Sequence, residues 1–301
     1  MRVSTRVGFI GLGAMGEPMS AALLRAGFAL TVSAHRNREP LERLMAAGAA
    51  DGGDPKGVAA ASEVVVLCVP DAPQVEEALF GERGVAAGAA RGSLVIDCST
   101  IAPTSTQAFG ARLRERGLAL VDAPVSGGPT RAASGTLAIM AGGELEDFAR
   151  AEPVLKGMGN PRHCGPLGMG ETVKLVNQTI IAVTMLANVE GLVFAKKAGA
   201  DLGVVREVLA AATASNYLLN EWLPKTWLSG SHDGGFALDL LRKDVRAALS
   251  SGRALGVPMF VTALCEQLYQ NASSEGHGRE DYTVVAQQYE RAAGVRAGGG
   301  K

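Results

Sequence analysis

The stretch "VGFIGLGAMGEPM", residues 7–19, decides the fold because it joins an apolar run to a helical pattern through closely spaced glycines. Gly11 permits a tight turn, Gly13 lets the backbone approach a pyrophosphate, and Gly16 lets the helix pack closely on the strand. An ordinary strand–helix turn is the alternative, since the chain has 39 glycines. The position between a strand and a helix favours dinucleotide binding. The predicted cofactor-binding residues of this turn are Gly11, Leu12, Gly13, Ala14, Met15 and Gly16.

The residues after the second predicted strand bear on the choice between NAD and NADP. A chain that binds NAD usually has an acidic residue about 20 residues after the glycines, which binds the ribose 2′-hydroxyl. In "TVSAHRNREP", residues 31–40, no acid ends the strand, and Arg36 or Arg38 offers a guanidinium that suits a 2′-phosphate. A solvated basic turn is the alternative. We favour NADP over NAD and assign His35, Arg36 and Asn37 to the cofactor.

Strand and helix patterns alternate through the first half of the chain. Continuous apolar runs such as "EVVVLCVP" and "GSLVIDCST" are typical of strands buried on both faces of a parallel sheet. "LALVDAPV" and "LAIMAGG" predict two further strands. Alternating strands and helices indicate βαβ units and therefore a doubly wound parallel sheet. Because ligands bind at the carboxyl ends of such strands, we expect Val69, Pro70 and Thr100 at the cofactor.

After Gly165 the strand patterns end and long helical patterns follow, beginning with "GETVKLVNQTIIAVTMLANVEGLVFAKKAG". We therefore predict an α/β dinucleotide-binding domain at residues 1–165 and an all-α domain at residues 166–301. The boundary falls near "HCGPLGMG", which is rich in glycine and proline. The tail "RAAGVRAGGGK" is predicted to be frayed.

The composition excludes several classes of protein. The 301 residues carry a net charge of -1, which argues against nucleic acid as a main partner. The four cysteines are far apart and predict neither a disulfide framework nor a zinc site, which favours a reducing compartment. The most apolar run is too short to span a bilayer, and Glu17 with three glycines interrupts any signal peptide. We expect a cytoplasmic protein with no metal, nucleic acid or membrane partner.

Two polar groups are candidates for binding and converting a small substrate. Ser126, Gly127 and Gly128 offer a hydroxyl and open backbone amides that suit a carboxylate, although a simple glycine turn is the stronger alternative from this stretch alone. Lys174 and Asn177 are three residues apart and share one helix face. A lysine buried beside an oxidised nicotinamide is expected to have a lowered pKa, which suits general acid–base catalysis. A lysine snorkelling from the helix is the alternative.

Lys243, next to Asp244 in "LLRKDV", is a further candidate. A cation at this position can bind an anionic cofactor or substrate. The alternative is a solvated helix face, since Arg242 and Arg246 lie nearby.

Four motifs, "GFIGLGAMGEPM", "DAPVSGG", "GMGETVKLVNQ" and "LLRKDV", follow one another over nearly the whole chain. Together they resemble the β-hydroxyacid dehydrogenase family, which includes 3-hydroxyisobutyrate dehydrogenases and tartronate semialdehyde reductases and has 6-phosphogluconate dehydrogenase as a larger relative. The resemblance implies an N-terminal Rossmann domain and a helical C-terminal domain linked by a long helix, in a homodimer or homotetramer. It also implies hydride transfer between NADP or NAD and a small 3-hydroxy acid or semialdehyde acid.

The resemblance also implies roles for individual residues. Lys174 is the expected catalytic acid–base, and Thr100 is expected near the nicotinamide ribose. Lys243 is expected at the cofactor or substrate. The expected substrate-binding residues are Ser126, Gly127, Gly128 and Asn177.

The chain departs from the family pattern at two positions, and several functions stay open. "SAHRN" replaces the usual residues after the second strand, and Gln178 follows Asn177 where hydroxyisobutyrate dehydrogenases tend to have a second asparagine. "KLVNQ" is closer to the tartronate semialdehyde (2-hydroxy-3-oxopropionate) reductase pattern. The alternatives are a 3-hydroxyisobutyrate dehydrogenase, a glyoxylate or succinic semialdehyde reductase, and a non-catalytic dinucleotide-binding or sensor protein on the same fold. Imine reduction on this scaffold ranks lower, because an enzyme of that kind is expected to have another residue in place of Lys174.

Overall fold

The structure, a computed structural model, describes residues 5–233 and 235–299. The chain divides into two compact units, Met1–Lys174 and Leu175–Lys301. The division falls within one long helix, Met169–Lys197.

The first unit contains a single sheet with helices between its strands. The strands in the described part of the chain are β1 (Arg6–Ile10), β2 (Ala29–Ser33), β3 (Ala50–Asp51), β4 (Val64–Leu67), β5 (Leu94–Asp97), β6 (Ala119–Asp122), β7 (Val125–Ser126), β8 (Leu137–Gly142) and β9 (Gly159–Gly165). The helices are α1 (Gly16–Arg25), α2 (Glu39–Ala46), α3 (Pro55–Ala60), α4 (Ala72–Phe80), α5 (Val85–Gly88), α6 (Pro103–Glu115), α7 (Gly128–Ser134) and α8 (Leu145–Lys156).

The strand order is β3-β2-β1-β4-β5-β6-β8-β7, with β9 paired to β8. The strands from β3 to β6 are all parallel, which confirms the predicted doubly wound parallel sheet. All four residues of β4 and of β5 are buried, because helices cover both faces of the sheet. In contrast, β8 runs antiparallel to β6 and β7, so the sheet has a mixed edge that the apolar pattern alone does not indicate.

The second unit is helical. Its elements are the remainder of α9 (Met169–Lys197), then α10 (Leu202–Ala210), α11 (Leu238–Ala254), α12 (Phe260–Ala272) and α13 (Ala286–Ala293), with short 3₁₀ and π turns between them. Trp227, Tyr269 and Tyr282 are fully buried at its core. The predicted frayed tail is wrong for the described residues, because the amides of Ala297 and Gly298 donate to Glu290 Oε1 at 2.6 and 2.7 Å.

In the described part of the chain, α9 is the one helix that is long and apolar enough to cross a bilayer by length and composition. A core helix of a globular protein passes the same test, so this property by itself is weak support for a membrane span.

Candidate active site

The glycine-rich turn between β1 and α1 has the shape that a dinucleotide requires. Gly11 has φ +99°, and a Cβ there would lie 2.2 Å from the carbonyl oxygen of Cys68. A Cβ at Gly16 would lie 1.7 Å from the carbonyl oxygen of Gly11, so α1 packs directly on the turn. Gly13 has no atom within 4 Å of its Cβ position and faces open space. No side chain of the described chain caps the first turn of α1, so its amides suit an anionic pyrophosphate.

The two candidate arginines after β2 differ in their side-chain contacts. The guanidinium of Arg38 lies 2.9 Å from the carboxylate of Asp51, which ends β3. The amide of Gly53 and then Arg38 hold the pKa of Asp51 below its ordinary value. His35, Arg36 and Asn37 are exposed, and within residues 5–233 and 235–299 the Arg36 guanidinium makes no hydrogen bond or ion pair. Of the two arginines, Arg36 is therefore the one whose guanidinium has no partner among the described residues.

A hydrogen-bonded corner joins the carboxyl ends of β4 and β5. The amide of Val69 donates to Ser99 Oγ at 3.0 Å, and the amide of Ser99 donates to Asp97 Oδ1 at 2.9 Å. Ser99 and Asp97 are buried, whereas Val69 is half-buried and Pro70 is exposed. The corner therefore fixes Val69, one of the predicted cofactor residues, at the edge where parallel sheets bind ligands, and exposed Pro70 and half-buried Thr100 directly follow Val69 and Ser99.

The predicted carboxylate cradle follows β6 and has a backbone that only glycine adopts easily. Gly127 and Gly128 have φ values of +136° and +67°. A Cβ at Gly127 would also lie 2.6 Å from the side chain of Arg131, so substitution there meets both strain and a steric clash. Ser126, Gly127 and Gly128 are all half-buried.

Lys174 lies in the second turn of α9 with 7% of its surface exposed, so the snorkelling alternative does not describe it. Glu171, one turn earlier, is fully buried. The carboxylate of Asp122, at the end of β6, accepts hydrogen bonds from the amides of Gly168 and Glu171, each at 2.8 Å. Burial raises the pKa of Asp122, and the helix amides act in the opposite direction. Sequence reasoning gave Asp122 no role, although it opens the "DAPVSGG" motif.

In the second unit, a chain of hydrogen bonds links two predicted residues. Asn177 Nδ2 donates to Gln178 Oε1 at 2.9 Å, and Gln178 Nε2 donates to Asp244 Oδ2 at 2.6 Å. Lys243 Nζ lies 2.9 Å from Asp244 Oδ1. Gln178 and Asp244 are buried, and the Lys243 side chain is only 20% exposed, so the solvated-face alternative does not describe it. Sequence reasoning did not assign Gln178 or Asp244 as the connection between Asn177 and Lys243.

The structure thus places the glycine-rich turn, the β2, β4 and β5 ends, the carboxylate cradle and Lys174 in the first unit. It places Asn177 and Lys243 in the second. Asn177 lies one helical turn after Lys174 in α9, as the spacing predicts.

Comparisons with known proteins agree with this arrangement. Residues 6–188 match a family model described as the NAD binding domain of 6-phosphogluconate dehydrogenase. Residues 168–289 match one described as the NAD-binding region of NADP-dependent 3-hydroxyisobutyrate dehydrogenase. Fold and site therefore define an oxidoreductase that uses a nicotinamide dinucleotide.

The individual relatives narrow this class. The chain is 38% identical to 2-hydroxy-3-oxopropionate reductase of Escherichia coli over 95% of this chain and 97% of that protein. It is 36% identical to 2-(hydroxymethyl)glutarate dehydrogenase of Eubacterium barkeri over the full length of both. The solved structure of 3-hydroxyisobutyrate dehydrogenase of Mycobacterium tuberculosis with L-serine has a TM-score of 0.86 and 30% identity, covering 95% of this chain and 99% of that one. The chain belongs to the β-hydroxyacid dehydrogenase family, whose members are NAD(P)-dependent enzymes acting on hydroxyl groups of small acids.

Proposed function

We propose that the protein is a reversible reductase of small semialdehyde acids, of the 2-hydroxy-3-oxopropionate reductase kind, with Lys174 as its general acid–base. The main support for the proposal is the burial of Lys174 near the start of α9. The start of this helix is hydrogen-bonded to Asp122 at the end of β6, and the chain continues from β6 directly into Ser126–Gly128. The relative from Escherichia coli and the "KLVNQ" pattern support this substrate class over the other members of the family.

The residues of the chain supply binding, orientation and proton transfer. Ser126, Gly127 and Gly128 hold the substrate carboxylate, which fixes the distance and direction of the carbonyl group. When bound, the nicotinamide supplies or accepts the hydride. In reduction, Lys174 donates a proton to the carbonyl oxygen, and in oxidation it takes the proton back from the hydroxyl. Asn177 contacts the substrate, and its bond to Gln178 holds its amide in one orientation.

The cofactor-binding residues in this proposal are those of the glycine-rich turn, the β2 end and the β4 and β5 ends. Gly13 faces open space beside the uncapped amides of α1, which fits a pyrophosphate. Arg36 binds the 2′-phosphate of NADP, which makes NADP the preferred cofactor over NAD. Lys243, oriented by Asp244, binds the anionic cofactor or substrate.

We also propose a cytoplasmic homo-oligomer, a homodimer or a homotetramer. Large apolar side chains of the second unit are exposed in the single chain, among them Phe194 at 75%, Leu255 at 76% and Phe260 at 83%. Exposed apolar surface of this kind is usual at subunit interfaces. Light scattering of the purified protein gives the molar mass, and a particle of 30.9 kDa, the mass of one chain, would contradict the proposal.

The function is tested by following NADPH and NADH oxidation with a panel of small aldehyde acids. The panel holds 2-hydroxy-3-oxopropionate, methylmalonate semialdehyde, succinic semialdehyde, glyoxylate and 2-formylglutarate. We expect the highest kcat/KM with 2-hydroxy-3-oxopropionate and NADPH. Highest turnover with another panel member replaces the substrate but keeps the reaction class. Cofactor binding with no turnover on any member would contradict the proposal in favour of a binding or sensor protein.

A further inference from the structure

Asp122 connects the two parts of the proposed site in the first unit. It ends β6, four residues before Ser126. Its side chain accepts from the amide of Gly168, just before α9, and from that of Glu171 in the first turn of α9, the helix that carries Lys174. Oδ1 accepts from the Gly168 amide and Oδ2 from the Glu171 amide, each at 2.8 Å, so both carboxylate oxygens are used. The carboxylate therefore caps the start of α9 from the end of β6. In most helices, the capping side chain belongs to the residue just before the helix.

Two glycines pack closely against this carboxylate. A Cβ at Gly142, which pairs with Asp122 across the sheet, would lie 2.4 Å from Asp122 Oδ1. A Cβ at Gly170 would lie 2.8 Å from Asp122 Oδ2 and 2.2 Å from the carbonyl oxygen of Met140. Two glycines thus allow the strand end and the helix end to approach on either side of the carboxylate, which is fully buried.

We propose that Asp122 is a positioning residue of the reaction: it holds the start of α9 on the end of β6 and so fixes Lys174 relative to the carboxylate cradle. This inference rests on the proposed roles of Lys174 and Ser126–Gly128. Asp122 does not act on substrate or cofactor itself. This position requires a carboxylate and not only a side chain of the same shape. A carboxylate accepts hydrogen bonds at both oxygens, whereas an amide side chain has an NH₂ donor in place of one oxygen.

The test is the variant Asp122→Asn, measured for kcat, for KM of the aldehyde acid, for the Kd of NADPH and for Tm. Asn keeps the shape but turns an N–H group towards one helix amide, which shifts the start of α9. Because a displacement of about 1 Å can cost about 10²-fold in rate, we expect kcat to fall by about that factor. The Kd of NADPH should stay within about threefold, since binding at the glycine-rich turn does not use Asp122.

The matched control is Asp54→Asn. Asp54 Oδ1 accepts the Gly57 amide at 2.8 Å at the start of α3, a helix with no proposed site residue, and it also pairs with Arg83. We expect this variant to lower Tm while leaving kcat unchanged, which separates loss of positioning from loss of stability. If Asp122→Asn does not fold, Asp122→Ser retains one acceptor, and we expect it to show the same fall in kcat with intact NADPH binding.

The outcomes distinguish this inference from the proposed function. A wild-type protein that reduces no aldehyde acid overturns the proposed function, and the positioning role with it. A wild-type protein that turns over, together with a folded Asp122→Asn or Asp122→Ser variant of unchanged kcat, overturns the positioning role alone. A fall in kcat that Asp54→Asn matches would make Asp122 a stabilising cap only.

Discussion

At the scale of single residues, contacts with neighbouring side chains distinguish residues that look equivalent in the sequence. Arg36 and Arg38 are both consistent with a 2′-phosphate from the sequence, yet Arg38 is ion-paired with Asp51 in β3. The Asp51 position could not be assigned from local pattern, because β3 has two residues and pairs with β2 only in the folded sheet. The sequence indicates that an arginine is available for a 2′-phosphate, and the tertiary contacts distinguish Arg36 from Arg38.

We predict that Arg36→Ala raises the KM for NADPH by about 10- to 100-fold and leaves the KM for NADH within about threefold, because a guanidinium–phosphate bond is charge-assisted. Arg38→Ala is the matched control and should change the ratio of the two KM values much less. Steady-state kinetics with both cofactors measures this ratio. An equal loss with NADPH and NADH in Arg36→Ala would contradict the assignment.

Glycines show which features of the turn can be predicted from local sequence. The roles of Gly11, Gly13 and Gly16 follow from a short motif, because the turn, the open approach and the helix contact all lie within a few residues. Asp122 shows what local sequence does not predict. Its partner amide at Gly168 is 46 residues away, so no local spacing indicates the contact.

At the scale of elements, the parallel strands β1, β2, β4, β5 and β6 and the helices from α9 to α12 could be predicted, because long apolar runs and helical apolar periods are clear in the sequence. The antiparallel direction of β8 could not, since the apolar pattern of a buried strand is the same in both directions. The strand β9, "GNPRHCG", was also not predicted. Its burial alternates only weakly, and it has none of the β-branched residues that usually indicate a strand.

The contact between α1 and α2 gives a pH-dependent prediction. Arg43 binds the Glu17 carboxylate through two bonds of 2.6 and 3.0 Å, and its hydrogen bond lowers the pKa of Glu17 from 4.5. A lowered folded-state pKa stabilises the protein above the unfolded-state pKa, and this contribution is lost as pH falls through the folded value. Glu17→Gln should therefore lower Tm at pH 7, by no more than about 2 °C for so exposed a pair.

Thermal melts at pH 7 and at pH 3 check this expectation. The difference between Glu17→Gln and the wild type should shrink as the pH falls through the lowered folded-state pKa of Glu17, because the carboxylate then loses the charge that binds Arg43. Glu42→Gln is the control, because Glu42 is exposed on α2 and makes no ion pair with any described residue. A Tm difference of the same size at both pH values would contradict the role of the Glu17–Arg43 pair.

At the scale of the whole molecule, each of the two units contains some of the proposed site residues. The first unit holds the cofactor-binding turn, the carboxylate cradle and Lys174, and the second holds Asn177 with the chain of hydrogen bonds to Lys243. The motifs of both units can be recognised in the sequence because each motif is a short continuous stretch of the chain. The compact units divide within α9, and the start of this helix is hydrogen-bonded to the end of β6 through Asp122.

Turnover and cofactor binding by Lys174→Ala test most directly whether Lys174 is the general acid–base. With the best aldehyde acid of the panel, we predict that kcat falls by about 10²- to 10⁴-fold, because loss of a general acid–base has this cost. The Kd of NADPH, followed by its fluorescence, should remain within about threefold of the wild-type value, which shows that the variant is folded. Unchanged kcat with intact NADPH binding would contradict the account and make Lys174 a structural lysine.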